Sequence, residues 1–541
     1  MTTVAQAVGR ALAARGVDRV FGVVGSGNFH VTNALVAAGA RFVAAAHEGG
    51  AASMADGYAR VSGRMTALSV HQGPGVTNAL TGIAEAAKSR TPIIVLAPEA
   101  TSPRSNFFID LPALAAAVGA GFRRVAAGRV AEDVAWACRA ATSGAGQTIL
   151  LALPLDVQGL PAGPDDAPAP EQRAALDPDA GPLVAALAAS RRPVFIAGRG
   201  ATRQATARVA LTELADRCGA LLAVSAAARG LFAGDPWYLD VSGGFATPLA
   251  AELIGQADLI VAWGSTLNMW TTRHGRIIPQ GAVVAQVDIE AAAIGVNRPV
   301  DIGVCGDIAA VARQVAAALE PSPRWRTPEL RARIAAEGRW RAVPYADESG
   351  GGLIDPRTLS IALDDMLPAE RTVVIDSGNF MGYPSMFLSV PDAAGFCFTQ
   401  AYQSIGLGLA SALGAAIARP DRLTVAALGD GGFLMSVAEL ASAVRLGLPL
   451  CVVVYDDAAY GAEVHHFGPD GHPLHTVRFP DTDLAAIAGG FGCAGLTVRA
   501  PVDLEGARDW LSGPRDRPLL IDAKVVSARG AWWLEEAFRG H

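Results

Sequence analysis

The stretch from Gly429 to Tyr460 limits the possible folds more than any other part of the chain. An apolar run, Leu423 to Leu428, ends abruptly in Gly429-Asp430-Gly431-Gly432, and a helical spacing of apolar residues follows from Phe433 to Leu446. A second apolar run, Leu450 to Tyr455, stops at Asp456-Asp457. Strand, glycine turn, helix and strand in that order predict two neighbouring parallel strands with carboxylates at their carboxyl ends. That is the edge at which open α/β sheets bind ligands. The glycines let backbone amides approach a phosphate beside the helix start, and Asp430 and Asp457 offer hard oxygens to a divalent cation carrying it. The segment predicts a magnesium–diphosphate site; the plainer alternative is a tight βα turn with exposed acids.

The same rhythm recurs along the chain. From Val4 to about Val157, helical patterns alternate with apolar runs at Val20 to Val24, Arg41 to Ala46, Met65 to Val70, Ile93 to Ala97 and Thr148 to Ala152, predicting a doubly wound parallel sheet. A stretch rich in Pro, Asp and Ala, Gln158 to Gly181, reads as a linker. A second unit follows, with strands at Val194 to Ala197, Leu221 to Val224, Leu259 to Trp263 and Val283 to Val287, and Pro321 to Asp355 reads as the next linker. A chain of 541 residues is too long for one core. The expected architecture is α/β with three doubly wound parallel-sheet domains at 1–160, 182–320 and 356–526. The tail 527–541 carries Trp532, Trp533 and Phe538, expected to pack on the body or a subunit interface, with closure over a site as the alternative.

Composition excludes several classes. A net charge of −7 without a basic block argues against nucleic acid as the main partner. Lys88 and Lys524 are the lysines of the whole sequence, neither suits a Schiff base, and no phosphate-binding GxxxxGK[ST] loop is present. The cysteines (Cys138, Cys218, Cys305, Cys397, Cys451, Cys493) are scattered, mostly within apolar runs, and are expected to be buried reduced thiols. With no signal-peptide pattern and no uninterrupted apolar span, the expectation is a cytoplasmic protein without a membrane partner.

Glu48 sits where a strand ends at Ala46 and a helix is expected to begin near Gly50, within AHEGGAASMADGYA. Alone it is an acid favoured by a helix start. Together with Tyr58-Ala59-Arg60, Gly73-Pro74-Gly75-Val76-Thr77-Asn78 and Gly82-Ile83-Ala84, and with GDGG followed by the paired acids, the chain resembles the thiamine-diphosphate enzymes of the pyruvate decarboxylase, benzoylformate decarboxylase and acetohydroxyacid synthase superfamily. The resemblance covers nearly the whole chain, in the order pyrimidine-binding, middle and diphosphate-binding domain.

It implies thiamine diphosphate and Mg2+ as cofactors, and a homodimer or dimer of dimers whose sites join the pyrimidine domain of one chain to the diphosphate domain of another. Glu48 would hydrogen-bond the pyrimidine N1′ and favour its imino tautomer. Gly378 and Asn379, within Asp376-Ser377-Gly378-Asn379, together with Gly429, Gly431, Gly432 and Tyr460, would contact the cofactor, and Ile405 would wedge beneath it. Asp430, Asp457 and the carbonyl of Ala459 would be the metal ligands. Most relatives have Asn-Asn or Asn-Asp where this chain has Asp456-Asp457, which adds charge beside a polyanion and leaves Asp456 in a supporting role.

Ser26 and His71 match substrate-facing residues of benzoylformate decarboxylase, with Gln72 beside them, whereas Glu463 aligns with a pocket glutamate of pyruvate decarboxylase; the alternative for Glu463 is a solvated helix acid. His465, His466, His472 and His475 match no zinc spacing and suggest a segment over the entrance, with His465 or His466 toward substrate. Arg273-His274 lies near another histidine contribution. The incomplete fingerprint Gly198-Arg199-Gly200 favours a tight turn and leaves FAD possible but unsupported; the middle domain holds FAD or ADP in some relatives and nothing in others, and the sequence does not decide between them.

The implied reaction is decarboxylation of a 2-oxo acid, with release of an aldehyde or acyl transfer to an aldehyde or ketone acceptor. Ser26, His71 and Glu463 tilt the reading toward a decarboxylase or carboligase, with an acetolactate synthase-type transferase as the alternative. A non-catalytic cofactor-binding homologue and a nucleotide-dependent oxidoreductase stay open as readings of other classes.

Overall fold

Buried apolar runs separated by helices build three parallel sheets, as seen in a computed structural model that describes residues 1–163, 178–322 and 325–534. The first sheet contains β1 (Arg19–Gly22), β2 (Arg41–Ala44), β3 (Thr66–Ser69), β4 (Ile93–Glu99), β5 (Gly121–Arg124) and β6 (Thr148–Pro154). The second contains β7 (Pro193–Ala197), β8 (Leu221–Val224), β9 (Tyr238–Val241), β10 (Leu259–Trp263), β11 (Val283–Asp288) and β12 (Ile302–Cys305). The third contains β13 (Arg371–Ile375), β14 (Phe396–Phe398), β15 (Leu423–Gly429), β16 (Leu450–Asp456), β17 (Ala494–Val498) and β18 (Leu519–Lys524). Central strands such as β4, β7, β10 and β16 are buried at every position, as parallel sheets covered on both faces require.

Strand order separates the first and third sheets from the second. The first and third run β2-β1-β3-β4-β6-β5 and β14-β13-β15-β16-β18-β17, the same permutation; the second runs β12-β11-β10-β7-β8-β9, the order of dinucleotide-binding sheets. The chain reverses its winding direction between β1 and β3, between β7 and β10, and between β13 and β15. A crevice opens at the carboxyl ends of each such pair.

The first and third domains pack through the helices Glu48–Ser62 and Gly408–Ala418. Gly57 and Gly414 let the two backbones touch, since a Cβ there would lie 2.2 Å from the Ser411 carbonyl oxygen and 2.0 Å from that of Met54. One apolar core runs through this contact, from Met54 and Tyr58 to Leu409 and Leu413.

Several expectations are corrected. The helix after the glycine turn is broken into Asp430–Ser436 and Glu439–Leu446, so the expected continuous helix from Phe433 to Leu446 does not form. The helix of Glu48 begins at Glu48 itself rather than near Gly50, because His47 caps it by accepting the Gly49 amide at 3.0 Å. The stretch Pro321 to Asp355 is not a plain linker. It contains the helix Pro328–Glu337, whose Ile334 is buried in the core of the middle domain, and Trp340, which stacks near Trp532 with ring centroids 5.0 Å apart.

The tail packs on the body: Trp533 is fully buried and donates to the Asn379 carbonyl at 3.1 Å, and Trp532 donates to the Gly244 carbonyl at 3.2 Å. Phe538 lies outside the described residues. No helix among the described residues is long and apolar enough to cross a membrane.

Candidate active site

The crevice between β13 and β15 brings acidic side chains, glycines and an unpartnered amide oxygen together. A cavity of about 470 Å3 at the carboxyl ends of β13, β15 and β16 is lined by Gly378, Asn379, Ile405, Gly429, Asp430, Gly431 and Gly432. Asp457, Ala459, Tyr460 and Glu463 also line it. The parallel register of Gly429 with Tyr455 brings the ends of β15 and β16 side by side, so Asp430 and Asp457 leave adjacent strands toward the same opening.

The backbone is shaped around this opening. A Cβ on Gly431 would meet the Tyr460 ring at 2.6 Å, and one on Gly461 would meet an Asp457 carboxylate oxygen at 2.3 Å. Ala458 has φ +52°, which turns the chain sharply between the Asp457 side chain and the Ala459 carbonyl. The adjoining strap braces this turn, with the Tyr460 amide donating to the Val477 carbonyl and the Phe479 amide to that of Ala458.

The electrostatics favour a cation. Burial, then repulsion from Asp457 and Asp456, pushes the Asp430 carboxyl up to about 8. Burial and Asp456 push Asp457 up to about 7, although a hydrogen bond from Asn379 opposes the shift. Two acids held in this way ionise together when a divalent ion joins them. The Asn379 Oδ1 is buried without a hydrogen-bond partner, an acceptor left for a ligand atom. Among the described residues no three His, Cys, Asp or Glu side chains converge as a metal set. A cation here would therefore complete its shell with a carbonyl such as that of Ala459, diphosphate oxygens and water. The residues present fit a metal–diphosphate group.

Asp376, in the element expected to meet the diphosphate, turns away from the cavity. Its carboxylate accepts the amides of Gly406 at 2.8 Å and Leu407 at 3.3 Å, fixing the turn that presents Ile405. Asp456 also faces inward, bonded to Lys524 at 2.5 Å.

The second cluster lies at the crevice between β1 and β3. The His71 Nδ1 accepts the Gly27 amide at 3.4 Å, and a Cβ on Gly27 would fall 1.7 Å from the Gln72 Oε1, so the loop carrying Ser26 lies directly on His71-Gln72. Asn28 anchors that loop from below, accepting the Gly25 amide at 2.8 Å and donating to Val23 and Ser69. Ser26 itself is exposed. Glu48 follows β2, and its Oε2 accepts from the Asn78 side chain at 3.1 Å. Gly75 lies between the two groups, its virtual Cβ 3.0 Å from the His71 Cβ and 3.3 Å from the Glu48 Oε1.

Within one chain these clusters stay apart, since Ser26, Glu48, His71 and Gln72 do not line the cavity around Asp430. Neither do His465, His466 or His274. His465 packs beneath Gly530 of the tail instead. The middle domain contributes Trp270 to the wall, the tail contributes Leu534, and Met435 joins them. Reading the sequence missed these three: Trp270 lies four positions before His274 without any motif, and Leu534 and Met435 read as ordinary apolar residues. The Gly198-Arg199-Gly200 turn packs on Gly264, where a Cβ at Gly198 would lie 2.3 Å from the Gly264 carbonyl oxygen, which accounts for its glycine.

Comparison with known proteins agrees with this architecture. The chain matches the N-terminal TPP binding domain of thiamine pyrophosphate enzymes over residues 2–111, their central domain over 182–315 and their C-terminal TPP binding domain over 376–523. It is 30% identical to a sulfoacetaldehyde acetyltransferase of Rhodobacter capsulatus, covering 93% of this chain and 91% of that one. It is 31% identical to a probable 2-ketoarginine decarboxylase of Pseudomonas aeruginosa, covering 97% and 95%. It is 26% identical to the large subunit of acetolactate synthase isozyme 2 of Escherichia coli, covering 98% and 96%. Three parallel α/β domains in this order, with relatives of this coverage, establish that the chain belongs to the thiamine-diphosphate-dependent enzymes of the decarboxylase, acetyltransferase and acetolactate synthase superfamily.

Proposed function

We propose that this enzyme is a thiamine-diphosphate- and Mg2+-dependent C–C bond lyase or ligase that decarboxylates a 2-oxo acid and either releases an aldehyde or passes the acyl group to an aldehyde or ketone. The observation that carries the reading is the single cavity shared by Asp430, Asp457, the orphaned Asn379 oxygen and Ile405 at the third sheet's crevice. Asp430, Asp457 and the Ala459 carbonyl would hold the cation, and Gly378, Gly429, Gly431, Gly432 and Tyr460 would surround the diphosphate. Bound thiamine diphosphate supplies a nucleophilic carbon and an electron sink for the bond to the departing carboxylate.

The protein groups then have separable tasks. Glu48 holds a proton at its carboxyl against the pyrimidine ring, with Asn78 fixing its orientation. His71 holds or moves a proton at Nε2, since Nδ1 is directed at the Gly27 amide, and Ser26 and Gln72 orient the substrate carboxylate. Glu463 faces the cavity and orients or protonates the carbonyl oxygen. Ile405, Met435, Trp270 and Leu534 exclude water from the reacting carbon. Because the Glu48 cluster lies outside the Asp430 cavity of its own chain, the reading includes a homo-oligomer in which Glu48 of one copy faces the cavity of another.

A transferase reading of the acetolactate synthase type is favoured by likeness over 98% of the chain to that enzyme. Product analysis with pyruvate, benzoylformate and branched 2-oxo acids, with and without acceptor aldehydes, separates the two. Aldehydes or mixed acyloins are expected. Acetolactate as the sole efficient product would establish the transferase instead.

A further inference from the structure

Beneath the cavity lies an ion cluster that the proposed chemistry leaves unused. Asp456 and Lys524 are the last residues of the neighbouring strands β16 and β18 and stand opposite each other in register. The Lys524 ammonium lies 2.5 Å from the Asp456 Oδ2, 2.7 Å from Asp481 and 3.1 Å from Asp522, and it donates to the Thr482 carbonyl at 2.7 Å. Lys524 is 4% exposed and Asp456 5%. The other Asp456 oxygen accepts the Ala458 amide at 2.9 Å, at the turn where φ is +52°. One ammonium thus grips the underside of the turn carrying Asp457 and Ala459, and also the strap 477–482 that braces it.

The residue type is informative. Arginine supplies nearly all the basic groups of this sequence and Arg60 is buried against two carboxylates, Asp56 and Glu85, whereas the ammonium that meets three belongs to one of its two lysines. A compact ammonium with three donors fits a point of convergence that a planar guanidinium fork would overfill. The partner is equally specific, since an aspartate at 456 sets a third negative charge beside Asp430 and Asp457.

We propose that Lys524 is a positioning residue of the cation site: it offsets the charge of Asp456 and, through Asp456, holds the Asp457–Ala459 turn in the geometry that receives the metal. This rests on the reading of Asp430, Asp457 and Ala459 as the cation's ligands. The lysine touches neither cation nor substrate, so its effect is expected in metal affinity rather than in turnover at saturation.

The test is calorimetric titration of Mg2+ into the full-length protein with excess thiamine diphosphate, comparing wild type, Lys524→Met, Lys524→Arg and the double variant Asp456→Asn/Lys524→Met. Lys524→Met is expected to weaken Mg2+ binding by about tenfold or more, the range for residues that orient metal ligands. Lys524→Arg is expected to weaken it as well. The double variant is expected to recover part of the lost affinity, because an uncharged amide still accepts the Ala458 amide and needs no counter-ion, whereas the buried Asp522 still lacks its ammonium partner. Should Lys524→Met fail to fold, recovery in the double variant alone supports the pairing. Unchanged affinity in Lys524→Met, or a double variant as weak as the single one, overturns it. Wild-type protein that retains thiamine diphosphate equally with and without Mg2+ would overturn the ligand assignment itself, a result distinct from failure of the lysine variants.

Discussion

The carboxylate of Glu439 accepts the amide of His47 at 3.1 Å, joining the first turn of a helix in the diphosphate domain to the residue that caps the helix of Glu48. Both Glu439 oxygens also lie 3.2 Å from the Ala46 amide, and Ser442 donates to Oε2 at 2.7 Å. Glu439 is 2% exposed, so these bonds take the place of hydration. A domain far along the chain therefore fixes the corner from which Glu48 projects.

Removal of this acceptor is expected to be costly twice over. Glu439→Ala leaves the Ala46 and His47 amides without their charged acceptor and should reduce stability by about 1–3 kcal/mol, while turnover falls because Glu48 loses its fixed position. Gly50→Ala should do similar damage, since its methyl would fall 2.0 Å from the Glu439 Oε1. The two effects share one contact, so the double variant is expected to lose less than the sum of the singles. Urea unfolding together with kcat checks this, and an unchanged unfolding midpoint in Glu439→Ala would remove the carboxylate from this role.

Glu48→Gln is expected to fold and to retain thiamine diphosphate, because the amide keeps the shape of the side chain and its bond with Asn78. It cannot exchange a proton at neutral pH. A fall in kcat of about 100-fold or more is expected, the scale of lost acid–base catalysis. Retention of near-wild-type kcat would exclude Glu48 from the chemistry.

The loop over His71 offers a test that displaces substrate-orienting groups without substituting any of them. Gly27→Ala would drive a methyl into Gln72, 1.7 Å from its Oε1, and lift the Ser26 loop off His71. KM for the 2-oxo acid is expected to rise together with a loss of kcat, whereas affinity for thiamine diphosphate, whose diphosphate is assigned to the other cluster and whose pyrimidine is assigned to Glu48 rather than to this loop, should stay within about threefold of wild type. Loss of cofactor affinity instead would show that the loop supports the cofactor rather than the substrate.

These relationships differ in how far the sequence disclosed them. Apolar runs buried on both faces are read directly from composition, and β8 and β10 coincide with the runs at Leu221 to Val224 and Leu259 to Trp263. The strands without such a signal were β5, β9, β12, β14 and β17, each at the edge of its sheet, together with interior β18, whose Asp522 and Lys524 break the apolar pattern. An edge strand pairs on one side only, so sequences such as Gly121-Phe122-Arg123-Arg124 carry too little apolar character to stand out.

The site divides in the same way. Asp430, Asp457 and the glycines were legible because turn chemistry and charge are local properties. Trp270, Leu534 and Glu439 reach their places through contacts between domains, for which no spacing within the sequence gives a sign. The break in the helix between Ser436 and Glu439 was hidden for a similar reason: Val437 and Ala438 continue the apolar spacing, and the demand that Glu439 meet Ala46 and His47 comes from the other domain.

Asp376 gives the pH dependence a definite sign. The carboxyl is fully buried, and burial, only partly opposed by the amides of Gly406, Ser377 and Leu407, pushes it from the usual 3.8 up to about 6. Between about pH 4 and 6 the folded chain therefore binds more protons at this site than the unfolded chain. Its contribution to stability is fully present below the unfolded value and is lost as pH rises through the folded one. A shift of about two units corresponds to about 3 kcal/mol. Asp376→Asn cannot ionise and should lack this slope, so the variant is expected to gain on wild type by up to that amount as pH rises from 4 to 6, whatever its starting deficit from one mismatched amide. Urea unfolding of both proteins at pH 4, 5 and 6 measures the difference, with all other titrating groups common to the pair. Parallel pH profiles would show that the Asp376 carboxyl is already ionised at pH 4, and that the amides of the Ile405 turn outweigh its burial.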